Sequence, residues 1–242
     1  MSETIQLFLT CILDTLYPEI GKSVVRVLKR AGVEVEFPQG QTCCGQPPFN
    51  AGLRAQARPL AEHTIRVFEE THGAVVVPSG SCTAMLRHGY LELFASDPDW
   101  LSRAESLAER TYEFTEYLVD YLGVTGLGAS YSGRLTYHSS CHLLRDIGVD
   151  QQPRTLLSHV HGAEFVELPH SDECCGFGGV FSAEFPEISS AMLDRKIASI
   201  QASEAPVVVS CDAGCMMNIN GGFHRRGLPQ RVLHIAEILD TS

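Results

Sequence analysis

Nine cysteines fall along the 242 residues of this chain in a pattern written twice, so any fold it adopts must gather cysteines twice over. Cys11 precedes Cys43-Cys44-Gly45 with 31 residues between, and Cys141 precedes Cys174-Cys175-Gly176 with 32. Cys82 follows the first pair after 37 residues, while Cys211 and Cys215 follow the second after 35 and 39. Eight of the nine therefore pair off between the halves, and Cys211 alone has no counterpart. Adjacent thiols bridge each other poorly, because a disulfide between neighbours closes a strained ring, but both can face one multinuclear metal centre. A glycine directly after the pair lets the backbone approach a bulky group or take positive φ, which makes Gly45 and Gly176 candidate residues of the binding site.

The repeat extends beyond the cysteines. Gly32 to Pro38 matches Gly162 to Pro169, Val75-Val76-Val77 matches Val207-Val208-Val209, and Arg110 to Leu118 is echoed in Arg231 to Leu239. The offset grows from 130 at the first cysteine to 133 at the last matched one, then falls to 121, as expected of one duplicated unit with small loop changes. Within the first copy, Ile5 to Leu9 reads as a buried strand, Leu16 to Arg30 as a helix, Val33 to Phe37 as a strand, Asn50 to His72 as a helix and Ala74 to Val77 as a third strand. A helix follows Cys82 toward Leu93, another ends near Glu109, and Phe114 to Leu122 completes the unit. The second copy repeats this with strands at 135–139, 164–168 and 206–209 and helices at 153–161 and 182–202. Strands alternating with helices predict a parallel sheet, and ligands of such sheets gather in the loops beyond the strand C-termini, where the cysteines fall. The expected architecture is α/β, two tandem Rossmann-like domains related by internal duplication and a pseudo-two-fold axis: residues 1–125, a glycine-rich linker at 126–133, and residues 134–242. A cysteine cluster is expected at one edge of each domain.

Composition excludes several classes. A net charge of −11, with 18 basic residues among 29 acidic ones, offers no cationic surface for nucleic acid. No stretch reaches the roughly 18 apolar residues of a membrane span, so no direct membrane insertion is expected. The first residues do not form a secretory signal, and a cytoplasmic location follows as the expectation. In that compartment nine cysteines read as metal ligands or redox thiols rather than a disulfide framework.

The order of a cysteine, about thirty residues, Cys-Cys-Gly, about thirty-five residues and a terminal cysteine resembles the cysteine-rich CCG-domain family, which includes the B subunit of heterodisulfide reductase and the cluster-bearing subunits of glycolate and anaerobic glycerol-3-phosphate oxidases. The resemblance covers nearly the whole chain. Two CCG units and nothing else resemble the lactate-utilisation members, which implies an iron-sulfur electron-transfer subunit of an L-lactate-oxidising complex, inactive alone. It would work with a ferredoxin-like iron-sulfur subunit and a further lactate-utilisation subunit. Thiolates select iron-sulfur clusters or zinc. Five thiols at Cys141, Cys174, Cys175, Cys211 and Cys215 exceed the needs of one zinc or one cubane, and the resemblance implies a noncubane [4Fe-4S] cluster there. The closing pair, however, is Cys-x-x-x-Cys where the family usually has Cys-x-x-Cys. Cys11, Cys43, Cys44 and Cys82 number four, with Ser79 where a fifth thiol would stand, which suits a cubane or Zn. Two alternatives stay open: direct cleavage of a disulfide substrate at the second cluster, as in heterodisulfide reductase, and a zinc-stabilised interaction module without redox chemistry.

Other residues weigh less. His138, His142 and His170 are candidate ligands or proton donors but read more readily as hydrogen-bonding neighbours that orient loops. Arg87 and Arg145 read as surface charges, and Met216 and Met217 as core. Gly176-Phe177-Gly178-Gly179 lacks the spacing of a dinucleotide loop, so no flavin or NAD site is expected.

Overall fold

A computed structural model describes residues 3–241. Two four-stranded, all-parallel sheets carry the fold, β2-β1-β3-β4 and β6-β5-β7-β8. The strands are β1 Thr4–Leu7, β2 Glu34–Glu36, β3 Val75–Val77, β4 Thr111–Glu113, β5 Ser130–His138, β6 His161–Phe165, β7 Val207–Ser210 and β8 Arg231–His234. The central strands β3 and β7 are apolar triplets buried on both faces, as parallel sheets flanked by helices require. The two copies share one strand order, as duplication predicts.

Several details differ from the sequence reading, among them β6, which occupies His161–Phe165 rather than 164–168 because the helix before it ends at Ser158. Each sheet gains a fourth strand, β4 and β8, in the repeated segments at Arg110 and Arg231; at three and four residues these are too short to show alternation. Ser130 to Gly133, expected as linker, belongs to β5, with an irregular register between Ser130 and Gly133. The helix expected over Asn50 to His72 is Arg54–Glu69, preceded by a short helix Gln46–Asn50, and that over Ser182 to Ala202 is two, Phe181–Glu184 and Pro186–Ala202. Proline prefers the start of a helix, and Pro186 opens a new one.

The units are joined by exchange. The closing segment of the first, Phe114–Glu116 continuing through Tyr121, packs on helix Gln151–Ser158 of the second. The closing helix of the second, Ile235–Leu239, packs in turn on helix Pro18–Arg30 of the first. Phe114, Tyr117 and Leu118 thus share a core with Leu156, Leu157 and Val160, and Ile235, Ile238 and Leu239 with Ile20, Val24 and Val27. Polar contacts repeat the exchange: Gln152 donates to Asp120 at 2.6 Å, and the Arg26 guanidinium meets both oxygens of Asp240.

Each closing helix begins with a buried cap. Glu113 and Glu116 form one capping box, His234 and Glu237 the other. The His234 Nδ1 accepts from the Ala236 amide at 3.2 Å, while Nε2 faces the carbonyl oxygen of Pro78 in the other unit at 3.3 Å. Only the neutral ring can do both, and burial lowers its pKa from 6.5 to about 4. The unfolded chain therefore takes up this proton first as pH falls from 6.5 to about 4, and stability declines across that window, by roughly 3 kcal/mol in all. His234→Asn, which keeps a cap acceptor, should flatten this part of a melting-temperature profile against pH. Glu113 runs the other way. Burial raises it from 4.5 to about 7, so its contribution is full below 4.5 and lost as pH rises through 7; Glu113→Gln should be relatively more stable than the parent above pH 7.

Candidate metal centres

Four of the matched cysteines stand just beyond a strand and at or beside the start of a helix, and the two Cys-Cys pairs lie in the longer loops after β2 and β6. Cys11 opens Cys11–Leu16 after β1, and Cys82 lies in the first turn of Gly80–Ala84 after β3. Cys141 precedes His142–Asp146 after β5, and Cys215 lies in the first turn of Ala213–Arg226 after β7.

The two sets, each at the C-terminal edge of its own sheet, meet. Cys11, Cys43, Cys44 and Cys82 face Cys141, Cys174, Cys175 and Cys215 across one cavity of about 150 Å³ between the units. The sequence predicts a cysteine cluster at one edge of each domain; that the two edges face each other is not part of that expectation. In each set one side is buried and the other half-exposed: Cys44, Cys82, Cys175 and Cys215 are covered, while Cys11, Cys43, Cys141 and Cys174 reach toward solvent. The Cys44 and Cys82 sulfurs are 3.4 Å apart and those of Cys175 and Cys215 are 3.2 Å apart.

Crowding makes these thiols interdependent. Hydrogen bonds from Cys11 and Cys44 hold Cys43 well below the usual thiol range, and those from Cys141 and Cys175 do the same for Cys174. The price is borne by the neighbours: hydrogen bonding to Cys43 and Cys174, then burial, pushes Cys11 and Cys141 far up. Four thiols this close cannot all ionise against one another, so full deprotonation needs a cation among them. Each quartet offers soft, all-sulfur ligation from four donors, the ligand type that iron-sulfur clusters and zinc share; among the described residues no three sulfurs of one quartet lie within 4.8 Å of one another, the spacing a single ion needs.

Cys211 stands apart. It is fully buried, does not line the cavity, and its sulfur lies 3.8 Å from the Tyr137 hydroxyl; burial, then the Glu113 carboxylate, raises its pKa. The second unit therefore presents four matched thiols rather than the five expected. The extra residue of Cys-x-x-x-Cys is the reason, since it places Asp212, not a cysteine, three positions before Cys215. Asp212 caps helix Ala213–Arg226 by accepting from the Gly214 amide at 3.0 Å. Its other oxygen crosses to the first unit and accepts from the Ser79 hydroxyl at 3.1 Å and the Ser81 amide at 3.0 Å. Ser79 is the equivalent helix cap there, so the two positions of the missing thiols hold the cavity together. Sequence reasoning passed over Asp212, though its spacing from Cys215 matched Ser79 and Cys82.

His138 is buried at the end of β5, and although the backbone of Ser171 lies beside the ring, neither ring nitrogen makes a hydrogen bond of good geometry among the described residues. One nitrogen lies with the sulfurs of Cys175 and Cys215, all three within 4.8 Å of one another, a triangle that can hold a single ion. Burial, then the Lys196 cation, lowers its pKa to about 3, so the ring is neutral. The other histidines are less engaged: His142 pairs with Asp146, and His170 is exposed in a left-handed turn. Arg145 donates to the Asp172 carbonyl, whereas Arg87 forms a half-buried pair with Glu116, 2.9 Å apart, rather than a free surface charge. Met216 is buried and Met217 partly so.

Gly45 and Gly176 both take positive φ, +84° and +85°, directly after the cysteine pairs. The Cys174 sulfur accepts from the Gly176 amide at 3.4 Å. A Cβ on Gly176 would meet the Ser189 carbonyl oxygen at 2.5 Å, whereas one on Gly45 would meet the Ala57 carbonyl oxygen at 3.3 Å. Gly45→Ala should cost about 1–2 kcal/mol from backbone strain alone, and Gly176→Ala clearly more, because it also drives the loop off the helix. Denaturant unfolding of the metal-free variants measures the difference; equal losses would contradict it.

The model of a cysteine-rich domain named CCG matches residues 5–87 and 135–220. Lactate utilization protein A of Geobacillus kaustophilus is 48% identical over 237 residues, 98% of each chain, and that of Bacillus pumilus 47% identical over 98% of this chain and 99% of its own. Lactate utilization protein A 2 of Bacillus cereus strain Q1 is 44% identical over 97% of both. Among solved structures, a hypothetical protein from Helicobacter pylori shares the fold, with a TM-score of 0.65 at 10% identity over 98% of this chain; the chain spans 48% of that protein's length. With both copies of its Cys-Cys-Gly unit matched and these relatives aligned from end to end, the chain belongs to the cysteine-rich CCG-domain family.

Proposed function

We propose that this chain is an iron-sulfur electron-transfer subunit of a complex that oxidises L-lactate to pyruvate. The observation that carries the reading is the pair of matched thiol quartets facing one cavity. The names of its relatives support the pathway, and the chemistry of the donors supports the cofactor. A [4Fe-4S] cluster, when bound, supplies one-electron transfer. Cys11, Cys43, Cys44 and Cys82 would hold one, and Cys141, Cys174, Cys175 and Cys215 the other. Four thiolates per unit favour cubane-type centres at both. The noncubane centre expected from five thiolates, and with it disulfide cleavage, loses its main support because Cys211 faces Tyr137 instead.

The half-exposed edge at Cys11, Cys43, Cys141 and Cys174 is where a redox partner would approach, while the buried edge excludes water from the rest. Removing two electrons from a hydroxy acid needs a two-electron acceptor, which thiol-bound one-electron centres do not supply. Hence a ferredoxin-like subunit and a further lactate-utilisation subunit complete the activity, in a cytoplasmic complex. No helix among the described residues is long and apolar enough to cross a membrane. A second reading, a zinc-stabilised interaction module, is favoured by the His138, Cys175 and Cys215 triangle.

Anaerobically purified protein should carry iron and acid-labile sulfide and absorb broadly in the visible. Zinc without sulfide would decide for the module instead. Cys44→Ser and Cys175→Ser should each lose about half the iron, and Cys211→Ser should keep it, because only the first two remove a ligand. The isolated chain should not oxidise lactate, and activity should arise on adding the partner subunits.

A further inference from the structure

The two quartets match in sulfur but rest on different floors. The repeats can be aligned residue by residue beneath them. Cys11 and Cys141 are 130 apart, so Phe8 at the end of the first strand corresponds to His138. In the long helix behind each Cys-Cys-Gly loop, Gly45 abuts Ala57 and Leu60 while Gly176 abuts Ser189 and Met192, an offset of 132. The buried face confirms it: Ala57, Ala61, Thr64, Ile65 and Phe68 correspond to Ser189, Leu193, Lys196, Ile197 and Ile200, and the second helix buries Ser199 besides. Thr64 thus corresponds to Lys196.

Phe8 packs on Phe68, ring centres 5.6 Å apart, in an apolar cluster with Cys44 and Cys82. In its place the second unit has the imidazole of His138, without a hydrogen bond of good geometry and within 4.8 Å of the Cys175 and Cys215 sulfurs. Where the first unit has the hydroxyl of Thr64, the second has a fully buried ammonium. Lys196 Nζ donates to the carbonyls of His170 at 2.8 Å and Ser171 at 3.3 Å, which tie it beneath the loop that carries Cys174 and Cys175. A buried lysine without a carboxylate hydrogen-bonded to it is costly, and burial lowers its pKa; the negative charges that oppose this are the Glu173 carboxylate, then Cys175, Asp172 and Cys215, so two of the four are thiols of the second quartet.

Resting on the reading of both quartets as cluster sites, we propose that His138 and Lys196 make the second centre the more easily reduced of the two. Each added electron adds negative charge, and in a low-dielectric interior a nearby cation and ring N–H donor stabilise that charge, whereas Phe8 and Thr64 leave the first centre on an apolar floor. One electron shared by the pair then leaves the first centre oxidised and the second reduced, without bond changes. His138 and Lys196 act here as positioning residues that set a potential.

The test is an anaerobic redox titration of the reconstituted full chain with dithionite and mediators, followed by electron paramagnetic resonance. The parent should show two midpoint potentials. His138→Phe and Lys196→Thr install the first unit's own residues, so the scaffold is expected to accept them. Each should lower the higher potential and leave the lower one in place. The reciprocal Thr64→Lys should raise the lower one. Unchanged potentials in His138→Phe and Lys196→Thr, with iron and sulfide retained, overturn the proposal. Should either shed its iron, Thr64→Lys carries the test, and an unmoved lower potential overturns it equally. A parent chain that binds no iron or sulfide overturns the cluster reading itself, and the proposal with it.

Discussion

Each unit of this protein finishes the other's core, and the rest of the structure depends on that exchange. The closing helix of one copy packs on the first long helix of the other, in both directions, so apolar surface that neither copy covers alone is buried at the seam. Burial of this kind is the main driving force available to a domain of about 120 residues. It also sets geometry. With the closing helices exchanged, the C-terminal ends of both sheets turn toward each other, and two sets of loops that the sequence separates by 130 residues come to face one cavity.

At that cavity, polarity takes over from packing. Asp212 caps its own helix with one oxygen and binds Ser79 and Ser81 of the other unit with the second. Buried at this contact, the carboxylate satisfies each interaction with a charge-assisted hydrogen bond, which is worth more than an exposed pair. The thiols around it are satisfied by one another and by a few backbone amides such as that of Gly176, and unequally, which is the condition of a site built for a metal.

Duplicated scaffolds diverge where a role can be filled by different chemistry. The carbonyl of Cys44 accepts from the Tyr90 hydroxyl and that of Cys175 from the Asn218 amide, both at 2.9 Å. There the function of the contact is kept. Beneath the sulfurs it is not kept: Phe8 and Thr64 have become His138 and Lys196, replacing apolar support with a donor and a cation. Equal ligands on unequal floors are a means of giving two centres of one type different electron affinities.

Spacing alone determined the duplication, the parallel α/β class, the eight matched cysteines and the glycines that follow them, because chain order dictates which loops lie beyond strand C-termini. The valine triplets of β3 and β7 and the helix of Pro18–Arg30 were equally legible, through apolar runs and helical periodicity. The short fourth strands were not, since three or four residues carry no periodicity. Nor were the facing of the two sites, the burial of Lys196, or the turning away of Cys211. Those depend on contacts between residues far apart in the chain: a thiol one position from the ligand row points to the opposite side of the strand end, and only the packed tertiary structure shows which side the cavity is on.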